Sequence, residues 1–172
     1  FKIKERIPEF LTIVAVSKGR PPEQIKEVIE AGITDIGENR VQEAIVKYNK
    51  LGTANSELQT IKWHMVGHLQ TNKVKDAVNL FDLIQSVDSL PLAHEIDKQA
   101  SRINKIQDIL VQINTSSEAA KFGLKADDAI EVIKEIAQFK NINIKGLMTI
   151  APILDNTKKT RLFRSGFFLS LF

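Results

Sequence analysis

Short apolar runs of β-forming residues alternate with segments of helical periodicity along this chain, and each run stops at polar residues. The first run, Leu11-Thr12-Ile13-Val14-Ala15-Val16, closes on Ser17-Lys18-Gly19. Pro21-Pro22 then opens a helix with Ile25, Val28 and Ile29 on one face, and Gly32 ends it. Ile33 to Gly37 reads as a second strand, followed by Glu38-Asn39-Arg40 and a helix carrying Val41, Ala44, Ile45, Tyr48 and Leu51, with Gly52 beyond its end. A third strand, Ile61 to Val66, leads through Gly67-His68-Leu69-Gln70 to a helix from about Asn72. Leu83 to Val87 is a fourth strand, and Ser89 is placed to cap the helix of Leu92, Ala93, Ile96 and Ala100. Asp108 to Ile113 is a fifth. The helix after it faces inward with either Ile130, Ile133 and Ala137 or Val132, Ile136 and Phe139, and Ile144 to Ile150 is a sixth strand.

Six strands separated by five helices predict a parallel α/β protein. A doubly wound sheet and a partial (β/α)₈ barrel both satisfy this alternation. A complete barrel takes about 250 residues, so a chain of 172 holds about six βα units. The expected organisation is one domain over residues 1–172, incomplete at its C-terminal end. Ser165 to Phe172 is uncharged and largely apolar, an aggregation hazard if exposed, which reads as a fragment or a frame-disrupted product.

Composition removes several functions. The absence of cysteine excludes disulfides and thiolate metal sites. No apolar stretch approaches the roughly 20 residues of a membrane span, and no signal-peptide core follows a basic start, so the expected location is the cytoplasm. A net charge of +3 with scattered lysines, one Trp and one Tyr argues against nucleic-acid binding. His64 and His68 have zinc-pair spacing, but Gly67 breaks the strand between them and leaves the side chains poorly placed to converge. His64 reads instead as a packed strand residue and His94 as a surface helix residue.

Candidate chemistry sits at the strand ends. Lys18, Asn39 with Arg40, His68 with Gln70, Ser86 with Asp88, Asn114 with Thr115, and Met148 with Thr149 would meet on one barrel face. Helix capping explains many of the Asn, Ser and Thr positions equally well. Lysine is different: held partly out of water, a free amine attacks carbonyls, and a ring of neutral polar groups suits a planar carbonyl cofactor. Glu38 is a candidate general base, and the dipole of the following helix accounts for it equally well.

Several runs together resemble one family: Val14-Ala15-Val16-Ser17-Lys18, Ile36-Gly37-Glu38-Asn39-Arg40-Val41-Gln42-Glu43, and Trp63-His64-Met65-Val66-Gly67-His68-Leu69-Gln70-Thr71-Asn72-Lys73. Ile84-Gln85-Ser86-Val87-Asp88, Val111-Gln112-Ile113-Asn114 with Glu118, Lys121 and Gly123, and Gly146-Leu147-Met148-Thr149-Ile150-Ala151-Pro152 complete the set. Over roughly residues 10 to 155 the chain is similar to the pyridoxal phosphate homeostasis proteins, relatives of the alanine racemase N-terminal domain. The resemblance implies a fold-type III pyridoxal phosphate barrel, with Lys18 as the Schiff-base lysine, Asn39, Ser86 and Met148 around the cofactor ring, and His68 at the mouth. It implies a vitamin B6 carrier, monomer or weak homodimer, that hands pyridoxal 5'-phosphate to apo-enzymes without turnover. An amino-acid racemase on the same barrel is the alternative. The family holds the phosphate on a Ser-Met-Gly-Met-Ser run and a later Arg-Ile-Gly segment. Neither occurs in this sequence, so weak or absent cofactor binding is expected of the chain as written, and binding of its full-length parent.

Overall fold

Strand order separates the two architectures that alternation leaves open. In the computed structural model, which describes residues 11–51, 61–115 and 122–150, the elements run β1 (Val14–Val16), α1 (Pro22–Glu30), β2 (Asp35–Glu38), α2 (Val41–Leu51), β3 (Lys62–Met65), α3 (Val74–Leu80) and β4 (Leu83–Val87). They continue with α4 (Leu90–Arg102), β5 (Gln107–Asn114), β6 (Leu124–Lys125), α5 (Ala126–Ile136) and β7 (Ile142–Met148). Each of the first five strands pairs in parallel with the next, and β7 lies along β5. A doubly wound sheet reverses its order at a switch point. Here the order never reverses, and each helix packs against its successor, α1 on α2 through α4 on α5. That is the wall of a (β/α) barrel. It is an open wall: among the described residues no ladder joins β1 to β7.

The sequence reading holds for these elements, with four differences. Two-residue β6, joined to the end of β5 at Ile113 and Asn114, was not foreseen, because two residues carry no periodicity. β1 keeps only Val14–Val16 of its longer apolar run, the three residues that pair with Asp35–Gly37 of β2. Ser89 occupies the N-cap of α4 without a side-chain capping bond, and Pro91 in the first turn needs no N–H partner there. The third helix begins as a 3₁₀ turn, Thr71–Lys73. Gly52, Glu118, Lys121 and everything from Ala151 onward lie outside the described residues.

Alternation along each strand divides the sheet into two faces. One packs on the helices: Ile36, Trp63, Met65, Ile84, Ile109 and Val111 bury against Ile25, Val41, Ala44, Val74, Ala77, Ile96 and Ile136. Each large side chain there contributes about 1.5–3 kcal/mol by leaving water. Helix α5 turns Ile136, with Val132 and Ile133 beside it, to the core, and Phe139 packs there just beyond its end; Ile130 is 65% exposed, so the inward stripe draws on both faces its sequence offered. The opposite face, the barrel interior, carries the polar chain Asp35–His64–Gln85. Gln85 Nε2 donates to His64 Nδ1 at 2.8 Å, leaving Nε2–H to donate to Asp35 Oδ1 at 3.0 Å. Desolvation raises the Asp35 pKa, but bonds from His64 and Thr34 and nearby positive charge more than offset it and hold the carboxyl below its usual value.

Gly67 fixes how the end of β3 meets the end of β2. A Cβ there would stand 2.4 Å from Asn39 O and 2.7 Å from Asn39 Cα, both backbone atoms that cannot swing away. Gly67→Ala should therefore destabilise the fold by about 1–3 kcal/mol, as overpacking does, read as a lowered urea midpoint at unchanged slope. An unchanged midpoint would show that the two strand ends are not in this close contact.

Candidate functional site

Parallel strands in sequential order bring all their C-terminal ends to one rim, and the residues singled out from sequence fall along it. Ser17, Lys18, Gly19 and Arg20 form a β-turn closed by Arg20 N–H to Ser17 O at 3.0 Å. Gly19 takes φ +68° at the third position, where a turn of this kind favours glycine. Lys18 is thus a corner residue and exposed, not partly withdrawn from water as its place in an apolar run suggests. A turn corner has no neighbouring strand to cover it. Its amine makes no hydrogen bond or ion pair among the described residues.

Behind this turn lies a charged cluster that the sequence reading missed. Lys47, on α2, is buried, with Nζ 2.5 Å from Ser17 O, 2.6 Å from Glu38 Oε1 and 2.7 Å from Glu43 Oε1. The Ser17 hydroxyl donates to Glu38 Oε1 as well, and Gly19 N–H donates to Glu43 Oε1 at 2.6 Å. Glu38 is fully buried, and its second oxygen, Oε2, has no partner among the described residues. It is neither a solvent-facing base nor a helix-dipole anion but the counter-ion of Lys47, because a buried ammonium requires a carboxylate. The sequence did carry a signal. Lys47 falls three residues after Ala44 and four before Leu51, on the buried stripe of α2, and Glu43 precedes it at i,i+4.

The neighbouring strand ends are linked to one another. Asn39, half-buried, follows Glu38 directly and abuts Gly67 through its backbone. The Ser86 hydroxyl is buried and donates to Gly67 O at 2.6 Å. His68 stacks on Phe122 at 3.8 Å between ring centroids, and its Nδ1 lies 3.0 Å from Asp88 Oδ2. Donation from Nδ1–H to that carboxylate leaves Nε2 as an acceptor. Asn39, Arg40, Gln42, Gly67, His68 and Lys73 line a cleft of about 390 Å³, within the range of small-molecule sites. Met148 is apart from this group, buried on β7 opposite Gln112. Thr149 beside it bonds Thr115 at 2.9 Å, tying the ends of β5 and β7. His64 and His68 diverge, each to its own carboxylate, and no metal-ligand cluster occurs among the described residues.

Hydrogen bonds from Lys47 and from Gly19 N–H, the former larger, lower the Glu43 pKa below its ordinary value. A lowered folded-state pKa contributes stability above the unfolded value, about 4.3, which is lost as pH falls through the folded value. The Gly19 amide resonance should keep its hydrogen-bonded position from neutral pH down past 4.3 or so and move only in stronger acid. Movement centred at or above that value would show that the bond does not form in solution.

The profile of the family "Alanine racemase, N-terminal domain" matches residues 2–167. A pyridoxal phosphate homeostasis protein of Aquifex aeolicus is 39% identical over 149 residues, covering 87% of this chain and 63% of the relative. The protein of that name from Escherichia coli K12 is 34% identical over 148 residues, covering 84% and 61%. This chain therefore spans less than two thirds of the length of such curated relatives. PipY of Synechococcus elongatus PCC7942 superposes with a TM-score of 0.83 at 34% identity, over 92% of this chain and 72% of PipY; a second PipY structure has PLP bound. A Clostridium difficile alanine racemase, 18% identical with a TM-score of 0.70 over 88% of this chain and 39% of its own, shares the fold. Sequential parallel strands, the polar rim and these matches agree: the chain belongs to the alanine racemase N-terminal domain family, among its pyridoxal phosphate homeostasis proteins.

Proposed function

We propose that this protein binds pyridoxal 5'-phosphate as part of vitamin B6 homeostasis, with Lys18 as the covalent attachment point and no turnover of amino acids. The observation that carries the reading is the Lys18 amine, exposed and unengaged among the described residues, on a turn anchored from behind. When bound, the cofactor supplies an aldehyde that combines reversibly with a primary amine. The residues present fit that half of the molecule. Lys18 and Asn39 each follow the end of one of two paired strands, β1 and β2, so both stand on the same stretch of rim. An amide there can bond a ring substituent, and the His68 Nε2 lone pair can accept a proton donor at the mouth. Ser86 contributes by holding the Gly67 carbonyl, and Met148 by packing beneath the rim. Exposure of Lys18 also favours hand-over to apo-enzymes in the cytoplasm, from a monomer or weak homodimer.

A racemase needs acid and base groups on both faces of the substrate carbon. Tyr48 sits on α2 and packs edge-on against Trp63 at 6.0 Å, in the helix layer and not at the strand ends where such a group would act.

Incubating the full-length protein with pyridoxal phosphate, reducing with borohydride and mapping the added mass tests the assignment. The label should fall on Lys18 and vanish in Lys18→Ala. Undiminished labelling of that variant would contradict the assignment, and racemisation at about 1 s⁻¹ or faster would replace the carrier with an enzyme.

A further inference from the structure

Lys47 is a second lysine beside the rim, and the attachment chemistry has no use for its amine. Nor does stability account for it simply, because a buried ion pair is often no better than apolar side chains of the same volume. What the cluster does have is a hold on the backbone to either side of Lys18. Lys47 Nζ bonds Ser17 O at 2.5 Å, and Glu43, itself paired to Lys47, accepts from Gly19 N–H at 2.6 Å. Glu38 takes the Ser17 hydroxyl and Lys47 together.

We propose that Lys47, acting through Glu38 and Glu43, is a positioning residue that fixes the Ser17–Gly19 turn and thereby aims the Lys18 amine into the cofactor site. The inference rests on the reading of Lys18 as the attachment point. β1 is a three-residue strand whose one ladder among the described residues runs to β2, and its last bond there is Ser17 N–H to Gly37 O at 2.9 Å. Short strands with few ladder bonds open locally at little cost. Beyond that bond, the turn itself and the Lys47 cluster are all that constrain the backbone at Lys18 among the described residues. Ser17 and Glu38 meet Lys47 on the helix side of the sheet, whereas the Lys18 side chain is exposed and bonds none of the cluster. The cluster therefore orients the amine from behind the sheet and leaves the reacting face free.

The test measures the rate at which pyridoxal phosphate becomes borohydride-fixable on Lys18, alongside each variant's thermal midpoint, in the full-length protein. Lys47→Met combined with Glu38→Gln removes the ion pair without leaving a buried charge alone. Glu43→Leu removes the Gly19 acceptor at a half-exposed site, whereas Glu43→Gln keeps an oxygen there. The double variant and Glu43→Leu should label Lys18 about ten- to a hundredfold more slowly, the scale of a misplaced reacting group, while remaining folded at the assay temperature. Glu43→Gln should stay close to wild type. Wild-type rates in both loss variants, or slowing matched by the fraction unfolded, would overturn the positioning role and leave Lys18 standing. If the double variant fails to fold, the Glu43 pair decides alone. Persistent labelling in Lys18→Ala would instead remove the reading on which the inference depends.

Discussion

One buried ion pair organises this end of the molecule. Lys47 reaches from the middle of α2 into the layer between helix and sheet, where an ammonium is tolerated only against a carboxylate and full hydrogen bonding. Glu38 supplies the charge, Ser17 the neutral acceptor and Glu43 a second carboxylate. Those partners come from β2, from the end of β1 and from α2 itself. Satisfying a single cation thus ties β1, β2 and α2 together where the first strand ends. The ladder between β1 and β2 covers three residue pairs, so the cluster supplies much of what keeps the first strand end in place.

The rest of the rim is built by close backbone approach. Sequential parallel pairing places the ends of β2, β3 and β4 side by side. Gly67 lets the turn after β3 rest on Asn39, and Ser86 secures the Gly67 carbonyl from β4. His68 is then held between Asp88 and Phe122. Each contact uses a side chain that a strand end would carry in any case. Ser86 thus acts on the rim through the Gly67 carbonyl, while Met148 lies buried on β7, apart from these contacts.

Much of the architecture was legible in the sequence, because β-branched runs and 3.6-residue periodicity are local signals. Leu83–Val87 emerges with the expected bounds, and Pro21-Pro22 and Gly32 delimit α1 as their backbone preferences require. Barrel against doubly wound sheet was not legible from periodicity, because strand order is a long-range property; the family resemblance supplied it. The site divides in the same way. Lys18, Asn39 and His68 could be named from their places after apolar runs. Glu38 and Lys47 could not be recognised as partners, since nine residues and a change of element separate them. A lysine on the buried stripe of one helix and a carboxylate on the helix side of the preceding strand are, in retrospect, the same signal seen twice.

A PLP-bound structure exists for PipY, and the corresponding experiment on this protein is the most direct one. Crystals of the full-length protein soaked with pyridoxal phosphate should show density continuous from Lys18 Nζ to the ring, with Lys47 still bridging Ser17, Glu38 and Glu43. Density joined to any other side chain, or cofactor bound with the Lys18 amine turned away, would contradict the account.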